Sequence, residues 1–437
     1  MVGGDLDDRV EQRSGRQGWY IVILLTILYA LSFTDRLLLA LMAQPVASAL
    51  SLSDGQLALL LGAGFAVVYA LSGIPIADRI DRGDRIVVVA AGVALWSAMT
   101  IASAFATSFW MLLILRAGVA LGEAVLTPAA VSLIGDLFPR ERCALPTAVY
   151  GSMGSIMSTG AFVLGGAVLG FSGSLEAPTG LAAWQLTFIL LGMPGLILAA
   201  VILLTTRDPR RGRAAESRSD AVSFAQMLRY IGDNARFYVP FYLGLALITM
   251  VSMGTISWMP TMIYRTFGGT VAAAGYRLGT VGLLAGVVST VFWPWLAQHL
   301  ARRGRTDGTL IELIASGTLA ALVLPIGLGQ QSLVLVIATF FVAMIGLASV
   351  AILAPLALQF FGPRAIRGRL TSIYILATAL LGYAVGPLTV VALSSLWSGP
   401  QALTFGLSLN AAIAGLLSTI SFFACLRASK SMALQHD

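Results

Sequence analysis

Twelve stretches of about 20 or more mostly apolar residues follow one another along this chain of 437 residues, each long enough at about 1.5 Å per residue to cross a hydrocarbon layer roughly 30 Å thick. They fall at about 19–42, 55–78, 86–106, 109–135, 143–171, 183–206, 236–263, 273–299, 309–329, 332–359, 368–396 and 399–426. Inside a bilayer every backbone N–H and C=O must find its partner within the protein, which leaves helices or a closed β-barrel. Barrel strands alternate apolar and polar residues at period two, and these runs do not. The expected fold class is therefore an all-α membrane protein with twelve transmembrane helices, here called spans 1 to 12.

Composition agrees. The chain is 58% hydrophobic and only 11% Asp, Glu, Lys or Arg, against about 25% charged in soluble domains. That excludes a soluble enzyme and a disordered chain, neither of which could solvate itself with so few charges. The sequence pI of about 9.7 is not the mark of a nucleic-acid partner, because the basic residues stand in short clusters between apolar runs rather than along one face. Two cysteines, Cys143 and Cys425, cannot frame a disulfide scaffold, and the two histidines, His299 and His436, stand near neither, so no metal site is expected. No GxxxxGK[ST], HExxH or GxSxG pattern occurs, so neither ATP-driven pumping nor a catalytic constellation is expected. The chain reads as not an enzyme, with no cofactor beyond protons as a coupling ion. The polar first 18 residues precede a run too long for the core of a cleaved signal, so the run from Trp19 reads as span 1.

Arginine placement sets the expected topology. Of 27 basic residues, 26 are Arg, and the one Lys is Lys430. Twenty-three of them lie in the N-tail, the even-to-odd loops and the C-tail, whereas the opposite side holds Arg265 and Arg277. By the positive-inside rule both termini are cytoplasmic, in a multi-pass protein of the plasma (inner) membrane. The domain reading is an N-tail over 1–18, a six-helix bundle over 19–206, a cytoplasmic linker over 207–235, a second six-helix bundle over 236–427 and a C-tail over 428–437. The linker's many arginines, among them Arg207, Arg210, Arg211, Arg213 and Arg218, suit a solvated loop carrying a short surface helix. The two bundles repeat each other at an offset of about 220 residues: PIADRIDRGDR (75–85) matches PWLAQHLARRGR (294–305), and LFPRERCA (137–144) matches FFGPRAIRGR (360–369). Parallel repeats of this kind imply a pseudo-two-fold axis along the membrane normal and a substrate site near mid-membrane. The partners expected are the bilayer and a small-molecule or lipid substrate, with a monomer sufficing.

Four charges stand out within the apolar runs. They are Asp35 and Arg36 in span 1, and Arg116 and Glu123 in span 4. Ionisable groups at such depth are costly and mark functional sites by default. Counting from Trp19, Asp35 lies roughly 24 Å in from the cytoplasmic end of span 1, and Arg116 about 10 Å below the outer end of span 4 at Phe109. Those heights agree. Arg116 and Glu123 stand two turns apart on one helix face. Burial favours the neutral form of a carboxyl and a neighbouring Arg the charged form, so Asp35 and Glu123 are candidates for exchanging a proton. An Arg fork fits a carboxylate or phosphate, which makes Arg36 and Arg116 candidates for an anionic substrate. A neutral network that only staples two helices is the competing reading.

Charge alternation at the span 2–3 loop suggests a cytoplasmic gate of Asp78, Arg79, Arg82 and Arg85, completed by Asp136, Arg140 and Arg142 after span 4; topogenic charges alone are the plainer alternative. Glycines in span 5 and the Gly382–Gly386–Pro387 segment of span 11 read as close packing with a possible bend. Trp258, Met253, Tyr264, Tyr374 and Tyr383 are candidates for lining a cavity.

These motifs carry a family resemblance. GIPIADRIDRGDR (73–85), RAGVALGEA (116–124) and the glycines of span 5 resemble the major facilitator superfamily over nearly the whole chain, although Gly73 stands one residue further from Asp78 than the usual pattern. FTDR (33–36), LSLSDGQLALLLG (50–62), RAGVALGEA and DLFPRERCA (136–144) resemble the Spinster-like subgroup, and the Asp-Arg pair with Arg116 and Glu123 is also similar to anion:cation symporters. The resemblance implies a proton-coupled or proton-regulated secondary transporter that works by alternating access, with proton, anion and gate roles at the positions just named. The Spinster likeness implies an amphipathic organic anion, a lysolipid or phosphorylated sphingoid base, as cargo. The symporter likeness implies a small hydrophilic anion such as a sugar acid. A membrane-embedded enzyme or a receptor is the alternative of another class.

Overall fold

A computed structural model of the chain describes residues 2–139, 142–210, 224–305, 307–363 and 366–433, without the side chains of 2–14, 74, 77, 78, 81, 155, 224, 225, 368 and 430–433. It is all-helical, with no strand among the described residues. Among the described residues twelve helices are long and apolar enough to cross a membrane: Gly15–Leu41, Asp54–Gly73, Arg85–Ser103, Phe109–Leu137, Ile156–Ser174, Ala183–Thr205, Ala235–Phe267, Val271–Arg302, Gly308–Leu328, Leu333–Phe361, Arg369–Ser394 and Ala402–Ser429. Each coincides with one of the runs expected from sequence. Several begin on side-chain caps, which satisfy backbone N–H groups that have no helical partner. Ser53 forms a capping box with Gln56 at span 2, Asp84 accepts from the N–H groups of Ile86 and Val87 at span 3, and Ser108 accepts from Met111 at span 4.

Four spans are not single α-helices. Span 2 is divided between Leu61 and Ala63, span 4 between Glu123 and Leu126, and span 10 between Leu347 and Ser349. Span 11 passes from α-helix through a π-helical turn, Thr378–Tyr383, to a last piece that starts at Gly386. Close approach explains two of these. A Cβ on Gly62 would stand 2.8 Å from Ala384 O, and one on Gly386 would stand 2.8 Å from Met250 O. At span 10 the carbonyls just before the break are taken up by neighbours. Trp293 Nε1 (2.8 Å) and Ser289 Oγ (3.2 Å) of span 8 donate to Ile345 O, and Ser316 Oγ of span 9 donates to Gly346 O at 2.6 Å.

The chain forms two compact units, one of residues 1–39 and 68–217, the other of 40–67 and 218–437. In the first, span 3 packs on spans 4 and 6, and span 5 on span 6. Spans 3 and 4 cross backbone to backbone: a Cβ on Gly122 would lie 2.6 Å from Gly92 O and 2.7 Å from Trp96 N. In the second, span 12 packs on spans 7, 9 and 11, and span 8 on span 10. Here Arg265 grips Asp54 with both terminal nitrogens (2.8 and 2.7 Å) and donates its Nε to Gln44 Oε1 at 2.8 Å.

Candidate functional site

The four interior charges meet in the first unit. Span 1 presents Ser32 and Arg36 one turn apart, on one face, and both reach Glu123 of span 4. Arg36 Nη2 lies 2.8 Å from Glu123 Oε2, and Ser32 Oγ donates to the same oxygen at 2.8 Å. Glu123 is the last residue of the first half of span 4, and the Gly92–Gly122 crossing beside it brings span 3 within reach. From span 3, Thr100 Oγ1 donates to Asp35 Oδ2 at 2.7 Å. Arg116 turns both terminal nitrogens to the backbone of span 1, Nη1 to Asp35 O and Nη2 to Arg36 O, each at 3.4 Å. Asp35, Arg116 and Glu123 are 4%, 1% and 1% exposed, whereas the side chain of Arg36 is 15% exposed. The second carboxyl oxygens, Asp35 Oδ1 and Glu123 Oε1, accept no hydrogen bond.

Aromatic rings surround the more open cation. The Arg36 guanidinium lies 5.2 Å from the centre of the Phe33 ring and 5.0 Å from that of Tyr69, within range of cation–π attraction. Tyr29 stacks on Tyr150 at 4.6 Å and meets Phe33 edge-on. Gly154 of span 5 makes room for that stack, since a Cβ there would stand 3.1 Å from the Tyr29 hydroxyl. Tyr150 shares a hydrogen bond with Thr127 at 3.2 Å. The result is a guanidinium held on one side by a carboxylate and framed by flat apolar faces. Such a group can exchange its carboxylate for the anionic end of a ligand.

The charges expected at the cytoplasmic gate divide. Arg85 is fully buried. Its Nη1 lies 2.6 Å from Asp136 Oδ2 and its Nη2 lies 2.5 Å from Asp208 Oδ1, while its own backbone N–H donates to Asp208 and its Nη1 to Ser132. Arg210 adds a second pair to Asp136 at 2.5 Å. Burial pushes the Asp208 carboxyl up, but hydrogen bonds from the Arg85 side chain and from the backbone of Arg210 and Arg85 outweigh it and hold the group below its ordinary range. Arg79, Arg82 and Arg142 are exposed. Arg140 and the Asp78 side chain lie outside the described residues.

The cavity-lining candidates lie in the second unit. Trp258 is fully buried and donates to Pro387 O at 3.0 Å, holding span 7 to the last piece of span 11. Met253, Tyr374 and Tyr383 are half-buried, and Tyr264 is exposed beside Arg265. Sequence reasoning missed Ser32, Thr100 and Tyr69, which complete the charge cluster, and Asp208, which completes the Arg85 network. Asp208 had a signal, being an acid directly after the end of span 6. The hydroxyls had none, because Ser and Thr are common in membrane helices for packing alone.

Three kinds of comparison bear on this arrangement. Residues 25–387 match the family model described as the Major Facilitator Superfamily. An MFS-type efflux pump of Mycolicibacterium smegmatis is 30% identical over 68% of this chain and 66% of its own length. A putative tartrate transporter of Agrobacterium vitis is 25% identical over 80% of this chain and 77% of its own. The sphingosine-1-phosphate transporter SPNS2 of Xenopus tropicalis is 26% identical over 42% of this chain. The chain spans 34% of SPNS2 and just under two thirds of the efflux pump. Among solved structures, an inward-facing, unoccupied bacterial homologue of the human lysosomal transporter Spinster superposes with a TM-score of 0.82 and 26% identity over 95% of this chain and 97% of that one.

Proposed function

Because the chain belongs to the major facilitator superfamily, we propose that it is a secondary transporter of Spinster type and that it moves an amphipathic organic anion across the membrane under control of protons. The observation that carries the reading is the shared oxygen of Glu123. Arg36, the most open of the four charges, is tied to the same Oε2 that Ser32 holds. Protonation of Glu123 removes the charge that retains Arg36, and the guanidinium is then available to a phosphate or carboxylate. Substrate anion and Glu123 therefore compete for one cation, which links a proton to a substrate molecule. Asp35 acts beside them, with Thr100 and Arg116 holding span 1 in register. Phe33 and Tyr69 suit the apolar part of a lysolipid or a sphingoid phosphate.

On this reading the two six-helix halves exchange access to the site, both termini lie in the cytoplasm of a cell whose inner membrane holds the protein, and a monomer suffices. A sugar acid is the second reading, favoured by the tartrate-transporter match over four-fifths of the chain. Thermal shift of the purified protein separates the two, since a ligand that binds only the folded state raises its melting temperature. Stabilisation by a lysolipid or sphingoid phosphate, absent with tartrate or glucarate, supports the amphipathic cargo. The reverse pattern supports the sugar acid.

A further inference from the structure

Span 9, Gly308–Leu328, carries a single ionisable side chain, and that side chain lies in the interior of the second unit. Glu312 stands one turn inside the span and is 1% exposed. Neither of its carboxyl oxygens has a hydrogen-bond partner. Thr309, three residues earlier and on the same helical face, buries a hydroxyl that also has none. Ser316, one turn further on, is already committed to Gly346 O and to Ser349 Oγ.

Among the described residues no cation compensates this acid. Of the elements packed against span 9, the two pieces of span 10 contain no charged or titratable residue. Span 12 offers Cys425 and Arg427, span 8 offers Tyr276, Arg277, His299 and Arg302, and span 7 offers Arg236, Tyr238, Tyr242, Tyr264 and Arg265. Where these make contacts they are made elsewhere. Cys425 donates to Phe237 O, Tyr238 to Phe361 O, Tyr242 to Leu370 O, Arg265 pairs with Asp54, and His299 stacks on Trp295. No group of three or more His, Cys, Asp or Glu that would hold a metal ion occurs among the described residues. Asp35 and Glu123 differ in kind, since each has a hydroxyl donor and an arginine beside it. An ionised carboxylate in such surroundings, with neither counter-charge nor donor, is too costly to persist, and the group takes up a proton instead.

We propose that Glu312 is a proton-binding site of the second unit, separate from the Asp35–Glu123 cluster and filled in the conformation described here. The ligand is a hydron. The neutral carboxyl packs beside the Thr309 hydroxyl, and it ionises only when water reaches it from the Gly308 end of the span. The site stands whether or not Asp35 and Glu123 exchange protons, so its failure and theirs are separable.

Infrared difference spectroscopy of the full-length protein in lipid nanodiscs tests it. The parent at neutral pH should show the C=O stretch of a buried carboxylic acid. Glu312→Gln should lose that band, Glu312→Asp should move it, and Glu123→Gln should retain it. A parent without the band at neutral pH, or a Glu312→Gln spectrum identical to the parent's, overturns the proposal. Melting temperature gives a second readout, because a carboxyl without partners leaves nothing unpaired when replaced. Glu312→Gln should melt within a few degrees of the parent, whereas a large loss of thermal stability would mean that Glu312 holds a charged partner and is not a proton site.

Discussion

Glu123 Oε2 stands 2.8 Å from Arg36 Nη2 and accepts the Ser32 hydroxyl at the same distance, so a single carboxylate oxygen from span 4 holds two side chains of span 1. Glu123→Gln removes its charge at nearly unchanged volume. Uptake or efflux in proteoliposomes should persist in this variant and lose its response to an imposed pH gradient. A variant that follows the gradient as the parent does places the proton path elsewhere. Arg36→Lys keeps the charge without the planar fork and should weaken the apparent affinity for an anionic substrate by about tenfold, or roughly 1.4 kcal/mol.

Arg116 serves span 1 through two carbonyl groups, Asp35 O and Arg36 O. A lysine has one compact ammonium group and cannot reproduce that spread. Arg116→Lys should therefore lower transport while the protein still inserts and folds, and Arg116→Ala should abolish transport and destabilise by about 3–5 kcal/mol, as expected when a buried charge loses its partner. Transport rates set beside melting temperatures check both. Full activity in Arg116→Lys would show that the spread of the fork is immaterial.

Asp208 gives a pH dependence whose sign can be worked out. Its folded-state carboxyl titrates below the ordinary range because Arg85 and two backbone N–H groups hold the charged form. A depressed acid stabilises the fold at pH values above its unfolded pKa of about 3.9, and that contribution is lost as pH falls through the folded value. Asp208→Asn should cost about 3 kcal/mol near neutrality, the low end for breaking a buried ion pair because Asp136 still holds Arg85. The gap in melting temperature between parent and variant should close below about pH 4. A gap that is constant down to pH 3 would assign the effect to shape rather than charge.

Gly122 faces backbone atoms that cannot move aside, Gly92 O and Trp96 N. Gly122→Ala should separate spans 3 and 4 at a cost of about 1–3 kcal/mol, the usual price of overpacking, and should weaken the Thr100–Asp35 hydrogen bond that depends on the crossing. Gly151, where an added Cβ meets nothing within 4 Å, is the control, and its Ala variant should be neutral in melting temperature.

The spans and the four interior charges were legible because apolar length and charge in hydrocarbon are carried by residue type alone. The bend of span 11 was legible too, at Gly382, Gly386 and Pro387, but the breaks in spans 2, 4 and 10 were not. The break at Gly62 arises from what lies beside it, the backbone of Ala384, and a single chain read in order does not reveal which glycine touches which backbone. Asp35 and Glu123 were found because each interrupts an apolar run, Asp35 next to Arg36 and Glu123 two turns from Arg116. Glu312 escaped for the opposite reason: it stands a few residues from the arginines of the span 8–9 loop, where an acid reads as a solvated helix start. Its burial belongs to the packing of spans 9, 10 and 12. Asp208 carried a signal, its place just after span 6, but it stands among the many charges of the linker.

The broken span 10 bears on how far this protein can be recombined with its relatives. The carbonyls of Ile345 and Gly346 are served by Ser289, Trp293 and Ser316, so the geometry of one helix is encoded in the side chains of two others. A chimera that imports span 10 alone would strand those acceptors in a setting without water, where unmet backbone groups are costly. Spans 8, 9 and 10 therefore form a block of inheritance, and crossover points for a shuffled library belong in the loops on either side of that block rather than within it.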